Sequence, residues 1–211
     1  YGQSDQAIDL LEELTRHDRH DAVLWLNLGL ALTHTDDSGA ARRALHSALS
    51  VDSSLVLARL NLGILETRVG RLEAAVSDLR RVIEQEPTLA EGHAALGYTL
   101  LVGDNLRGAE RHLRRAIALE PRHRDARLNL GRILLTTGRF DGAVRQFTIG
   151  RNLFPYDGDI LYNLAFSHVR TGDYTRAQRA LEAALLVEPR DRQALELREF
   201  MAERRAGRDR D

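Results

Sequence analysis

The chain has 211 residues, 43% of them hydrophobic, which is enough apolar material for a substantial core and excludes global disorder. A formal net charge of -1 excludes a global field that would gather nucleic acid or an anionic membrane surface. The lack of cysteine excludes disulfides, thiolate metal sites and cysteine nucleophiles, and no apolar run approaches the ~20 residues of a membrane span.

Residues 3–17 have the pattern of a lone second helix of a pair, with Ala7, Leu11 and Leu14 at its contact places. The chain opens at Tyr1-Gly2, inside a repeat and without an initiator Met, as a segment of a longer protein would. From Ala22 onward one pattern recurs every 34 residues, giving repeats 22–55, 56–89, 90–123, 124–157 and 158–191. Its plainest mark is Leu26-Asn27-Leu28-Gly29, which returns as Leu60-Asn61-Leu62-Gly63 and Leu128-Asn129-Leu130-Gly131. Ala94-Ala95-Leu96-Gly97 and Tyr162-Asn163-Leu164-Ala165 are weaker copies.

Each repeat reads as two helices and a tight turn. The first helix carries Gly29, Gly63, Gly97, Gly131 and Ala165 in register. Glycine inside a helix costs ~1 kcal/mol against alanine, so this column implies a paired helix lying too close for a side chain. The turn falls at Asp36, Gly70, Asp104, Gly138 and Gly172, residues that tolerate the left-handed conformation. The second helix carries Ala41, Ala75, Ala109, Ala143 and Ala177, then Leu45, Leu79, Leu113, Phe147 and Leu181. Pro87, Pro121, Pro155 and Pro189 stop it, with Ser53 in the first copy.

After residue 191 a further first helix begins, but Arg198 and Glu199 replace the leucine and the small residue, so it reads as a capping helix. The charged tail from Arg204 to Asp211 is expected to fray. The expected organisation is therefore residues 1–21 as the second helix of a truncated repeat, 22–191 as five full repeats, and 192–211 as cap and tail. About twelve helices and no sheet are expected.

These residues resemble the tetratricopeptide repeat family. Trp25, Leu28, Gly29, Ala41, Leu45 and Ala48 match its pattern in the first repeat. Leu96, Gly97, Ala109, Leu113, Ala116 and Pro121 match it in the third. The resemblance implies an all-α, right-handed superhelical solenoid of antiparallel helix pairs, whose first helices line a concave groove. It also implies a partner-binding scaffold rather than an enzyme, and no cofactor. Five residues depart from the family: Arg59, His93 and Arg127 stand where an aromatic residue is usual, and Glu66 and His168 where a bulky apolar one is. Those repeats are expected to pack less tightly unless the polar heads reach solvent or pair, with Arg59 and Glu66, two turns apart, as one such local pair.

The candidate site is the groove. Asn27, Asn61, Asn129 and Asn163 form a column interrupted by Ala95. An amide can take both the C=O and the N–H of a bound main chain. On the family geometry this column faces the groove, much as in the similar repeat domain of O-linked N-acetylglucosamine transferase. The alternative is that these amides bond to the neighbouring repeat. Leu30, Ile64, Tyr98, Arg132 and Phe166 complete the candidate partner-binding set, with Leu26, Leu60, Ala94, Leu128, Leu135 and Tyr162 beside them, many of the leucines suiting the intra-repeat core equally because helix faces are broad. Arg68, Arg132 and Arg170 are placed at one edge, and Glu91, Asp125 and Asp159 at the other. The carboxylate-clamp residues of some relatives are replaced here by Leu26 and Leu30.

No metal-ligand spacing, phosphate loop or catalytic motif occurs, and the eight His are scattered. The basic run Arg107, Arg111, Arg114, Arg115, Arg122, His123 and Arg124 reads as a solvated second-helix face rather than a nucleic-acid site. The expected function is a protein-interaction scaffold that binds a peptide or protein segment in the concave groove. The alternatives are a substrate-recruiting domain of a larger enzyme, or a structural subunit of a larger complex held by its convex face and ends.

Overall fold

The structure, a computed structural model, describes residues 2–35 and 37–208, with side chains from residue 6 to residue 204. Among the described residues it contains twelve α-helices and no strand. The helices fall into two compact units, residues 1–119 and 120–211.

The first unit holds α1 (Gly2–His17), α2 (Ala22–Leu32), α3 (Ser38–Val51), α4 (Val56–Arg68), α5 (Leu72–Gln85), α6 (Ala90–Val102) and α7 (Leu106–Leu119). Each first helix packs on the second helix of its own repeat, as in α2 on α3, α4 on α5 and α6 on α7. Each second helix then packs on the next first helix, and α2, α4 and α6 also touch in sequence. The second unit holds α8 (Arg124–Thr136), α9 (Phe140–Leu153), α10 (Gly158–Arg170), α11 (Tyr174–Val187) and α12 (Arg192–Arg208). There α8 pairs with α9 and α10 with α11, while α12 lies against α11 and α10. In both units no helix packs on one more than two elements away, which is the nearest-neighbour arrangement of a repeat stack.

The reason for the small-residue column is steric. A Cβ on Gly29, Gly63 or Gly97 would meet Leu45, Leu79 or Leu113 at 2.6–2.7 Å, and one on Gly131 would enter the Phe147 ring. The large residue of each second helix therefore sits over the glycine of its partner, and Leu45, Leu79, Leu113 and Phe147 are wholly buried. The turns have a different cause. Gly70, Gly138, Gly172 and Asp104 all have φ between 58° and 80°, and the three glycines have nothing near a Cβ, so conformation alone selects them. The first turn place, Asp36, lies outside the described residues, as do residues 209–211 of the tail. Helices α5, α7, α9 and α11 each end two residues before the proline. Several first turns are capped by side chains: Asp21 accepts from the N–H of Val23 and Leu24, Asp157 from Ile160, and Asp173 from Arg176.

The departures at the usual aromatic place are resolved by a repeated pair of hydrogen bonds. Trp25 Nε1 donates to the carbonyl of Arg19 at 3.1 Å, six residues back, on the turn that enters the helix. Arg59 makes the same bond to Ser53 at 2.8 Å, His93 to Pro87 at 3.2 Å and Arg127 to Pro121 at 2.7 Å. The second donor of each Arg crosses to the second helix of its own repeat, nineteen residues on. Arg59 reaches Asp78 Oδ1 at 3.2 Å and Arg127 reaches Gln146 Oε1 at 3.1 Å, while His93 meets His112 at 3.2 Å between Nδ1 atoms. Where the first member is Trp25 or Leu161, the second is Ala44 or Ala180.

Arg59 and Glu66 are not a pair. Arg59 is held by Asp78 and Ser53, and Glu66 lies 3.6 Å from Arg71 on the next turn. Seven residues of helix separate the two by ~10 Å, and each has a nearer partner of opposite charge. The exchange is incomplete: the buried Nε of Arg59 and of Arg127 and one Glu66 oxygen have no hydrogen-bond partner.

The His pair makes a pH prediction. A carbonyl only accepts, so the His93 proton is on Nε2 and its Nδ1 accepts from His112 Nδ1–H. Burial first, then the charges of His93, Arg111 and Arg80, push His112 down to about 4; burial, with Arg115, pushes His93 down against the pull of the Pro87 carbonyl. The unfolded chain binds more protons below the ordinary ~6.5, so this stability is fully present above that pH and is lost as pH falls toward 4. Allowing for solvent screening, about 1–2 kcal/mol is expected to disappear between pH 7.5 and 4.5. Urea unfolding at the two pH values should show this loss in the parent and a shallower one in His112→Ala. Equal slopes would remove the His pair as the cause.

Candidate functional site

The side chains that the first helices turn away from their partners lie at four places per repeat, spaced 4, 3 and 4 residues apart along one helical stripe. In the first unit the stripe on α2 carries Val23, Asn27 and Leu30, with His34 in the turn just past its end. On α4 it carries Leu57, Asn61, Ile64 and Arg68, and on α6 Glu91, Ala95, Tyr98 and Val102. Large apolar groups lie open along it: Val23 is 53% exposed, Leu57 55%, Ile64 40%, Tyr98 48% and Val102 47%.

Asn27 is exposed and Asn61 half-buried. Asn61 donates from Nδ2 to the Leu57 carbonyl of its own helix at 2.7 Å, which leaves its second amide hydrogen and its Oδ1 without an intramolecular bond. Arg68 donates to the Thr33 carbonyl at 3.0 Å, tying the last turn of α4 to the end of α2. Behind the stripe, Thr67 and Thr99 share a buried hydrogen bond of 2.7 Å between α4 and α6.

The same stripe in the second unit is chemically different. It carries Asp125, Asn129, Arg132 and Thr136 on α8, and Asp159, Asn163, Phe166 and Arg170 on α10. Asn129 and Asn163 are buried, at 9% and 7% exposure, and Asn163 donates to its own Asp159 carbonyl at 2.7 Å. Arg170 lies 4.3 Å over the Phe140 ring, and Phe166 stacks on Tyr162. Arg124 binds Asp157 through two nitrogens, at 2.5 and 3.0 Å, and Asp125 and Asp159 at 2.8 Å each. Arg132 stands 3.9 Å from Asp159, so the two groove edges expected to be separate meet across α8 and α10.

Two points left open by the sequence are narrowed by the structure. Leu26, Leu60, Ala94, Leu128 and Leu135 are buried core, not groove lining, because they sit one place off the stripe and point between helices. Asn61 and Asn163 bond within their own helices, and among the described residues no side chain of the Asn column bonds to a neighbouring repeat. Val23, Leu57 and Val102 were missed. The signal for them was in the 34-residue register: 23 and 57 are one repeat apart and lie one turn before Asn27 and Asn61. Of the basic run, Arg114 pairs with Glu110 at 2.6 Å, Arg122 lies over Phe154, and Arg124 is held as above.

The tetratricopeptide repeat profile matches residues 2–49 and 94–148, and that of the Fis1 C-terminal tetratricopeptide repeat matches residues 158–206. The chain is a tetratricopeptide-repeat protein. No curated protein sequence matches it. Solved structures share its fold. PilW, described as a widely conserved type IV pilus biogenesis factor, has a TM-score of 0.84 at 18% identity, over 93% of this chain and 91% of its own. YrrB, described as a tetratricopeptide-repeat protein with an unusual peptide-binding site, scores 0.70 at 21% identity, over 92% and 100%. MamA scores 0.69 at 24% identity, over 80% and 92%. At these identities the likeness speaks for the fold of this tetratricopeptide-repeat chain. None of its described helices is long and apolar enough to cross a membrane.

Proposed function

We propose that this tetratricopeptide-repeat chain is a binding module without catalysis of its own. It takes a peptide or protein segment on the first-helix face of residues 1–119. The observation that carries the reading is the open apolar file of Val23, Leu57, Ile64, Tyr98 and Val102. Soluble chains rarely leave such a patch without use. Asn27 and Asn61 stand within it and have amide groups to offer a main chain, so the face suits a segment with apolar anchors and an accessible backbone. Asn129, Asn163, Arg132 and Phe166 belong to the more charged face of the second unit, where burial and ion pairs leave less to offer. YrrB, a structural neighbour described as peptide-binding, supports the same reading.

The test is a peptide selected from a displayed random library against the intact chain, with its affinity measured by calorimetry. Ile64→Asp with Tyr98→Asp is expected to weaken binding at least tenfold, as loss of central anchors does. Asn61→Ala should cost about 0.5–1.5 kcal/mol of binding. Arg111→Glu, on a second helix, should change little. If the charge reversal abolishes binding and the double substitution does not, the first-helix face is not the site.

A further inference from the structure

A cavity of about 390 Å³ opens between α9, α10 and α11 in the second unit, away from the first-helix stripe. Its walls include Thr148 and Arg151 from α9, His168 from α10, and Arg176 and Arg179 from α11. Three of these residues break the chain's own repeat. Arg151 stands where the other repeats have Leu49, Ile83, Ile117 and Leu185. Arg176 stands where they have Ala40, Ala74, Gly108 and Gly142, and His168 where they have Leu32, Leu100 and Leu134, with Glu66 in the second. Three departures toward positive or proton-donating groups thus converge on one cavity, at places that are elsewhere mostly apolar or small. Leu161 and Ala180, also in the wall, are the small-partner version of the column that holds Arg and a polar partner in repeats 2 and 4. The polar head that would otherwise cross between helices is missing here.

We propose that this cavity binds a small phosphate-bearing ligand. Three guanidinium groups offer paired N–H donors matched to phosphate oxygens, and the Thr148 hydroxyl and His168 ring add two more donors. Asp173 stands against them, 3.2 Å from Arg176, and is the carboxylate that acts on His168. Three positive charges against that carboxylate leave an excess suited to a dianion more than to a single carboxylate. The volume is at the lower end of ligand pockets and fits a phosphate with a compact carrier. His168 feels the same balance. Burial holds it below its ordinary range, Arg176 and Arg151 push it further down, and Asp173 pulls it up. A bound dianion cancels the excess positive charge and adds negative charge beside the ring, so it must raise the His168 midpoint.

The experiment is a titration of the intact chain at low ionic strength, with inorganic phosphate and separately with O-phosphoserine, following the His168 ring by NMR. Saturating shifts and a rise in the His168 titration midpoint are expected with at least one ligand. Tighter binding of phosphoserine shows that the site takes a carried phosphate; equal or tighter binding of inorganic phosphate shows that it takes the free anion. Arg151→Leu with Arg176→Ala restores residues that other repeats carry, so the fold should hold, and affinity should fall at least tenfold. Arg151→Gln serves as a milder check should the pair of substitutions disturb the fold. A His168 midpoint unmoved by either ligand, or affinity unchanged in these variants, overturns the proposal.

Discussion

Replacing Gly131 with alanine is expected to destabilise the chain by about 1–3 kcal/mol, the usual cost of overpacking a filled core. The added methyl would enter the ring of Phe147, which is wholly buried and has no free direction in which to retreat. The fifth repeat shows what relieves it: Ala165 occupies the same place there, with Leu181 as the large residue. Phe147→Leu in the Gly131→Ala background should therefore recover part of the loss, although Phe147→Leu alone destabilises by leaving a void. Chemical denaturation of the two single variants and the double gives the coupling, and strictly additive losses would show that the two residues do not share one space. Hydrogen exchange should place the damage of Gly131→Ala first in α8, α9 and α10, because contacts run only to neighbouring elements.

The second large effect is expected at Arg59 and Asp78. Arg59→Leu leaves a largely buried Asp78 carboxylate and the Ser53 carbonyl without their donor, and should cost about 2–3 kcal/mol. Asp78→Ala leaves the buried guanidinium short of its acceptor and should cost a similar amount. Together the two substitutions recreate Leu161 and Ala180 of the fifth repeat, an apolar pair with nothing left to satisfy. The double variant should lie within about 1 kcal/mol of the parent, because exchanging a buried ion pair for well-packed apolar residues is often close to neutral. It also removes the unpartnered Nε of Arg59. A double variant no more stable than the sum of the singles would mean that the two side chains do not act as a pair.

How legible the candidate site was differed between its residues. Ile64 and Tyr98 were readable as outward-facing because they lie on the stripe of the Asn column. Leu26, Leu60 and Leu128 were placed beside them although they are core, since one helix position, ~100° of rotation, separates the two. Asn61 and Asn163 carry the residue type expected of a main-chain clamp, but a side-chain amide reaches its own helix carbonyl one turn back as easily as a ligand. Arg132 and Asp159 looked like opposite edges because a single repeat does not show what its neighbour brings close.

By itself the sequence determined the helix pairs, their period and their close contacts. Those follow from local rules: glycine is needed where a helix partner comes within a side chain's width or where φ is positive, and proline cannot continue a helix. What only the tertiary structure decided was the fate of the polar residues at apolar places. Arg59, His93 and Arg127 each found a carbonyl six residues back and a partner nineteen residues on, whereas Arg151, Arg176 and His168 gathered around an open cavity. A buried polar group must find a partner or keep contact with water. Which of the two it finds depends on side chains brought from other helices, and no spacing along one helix carries that information.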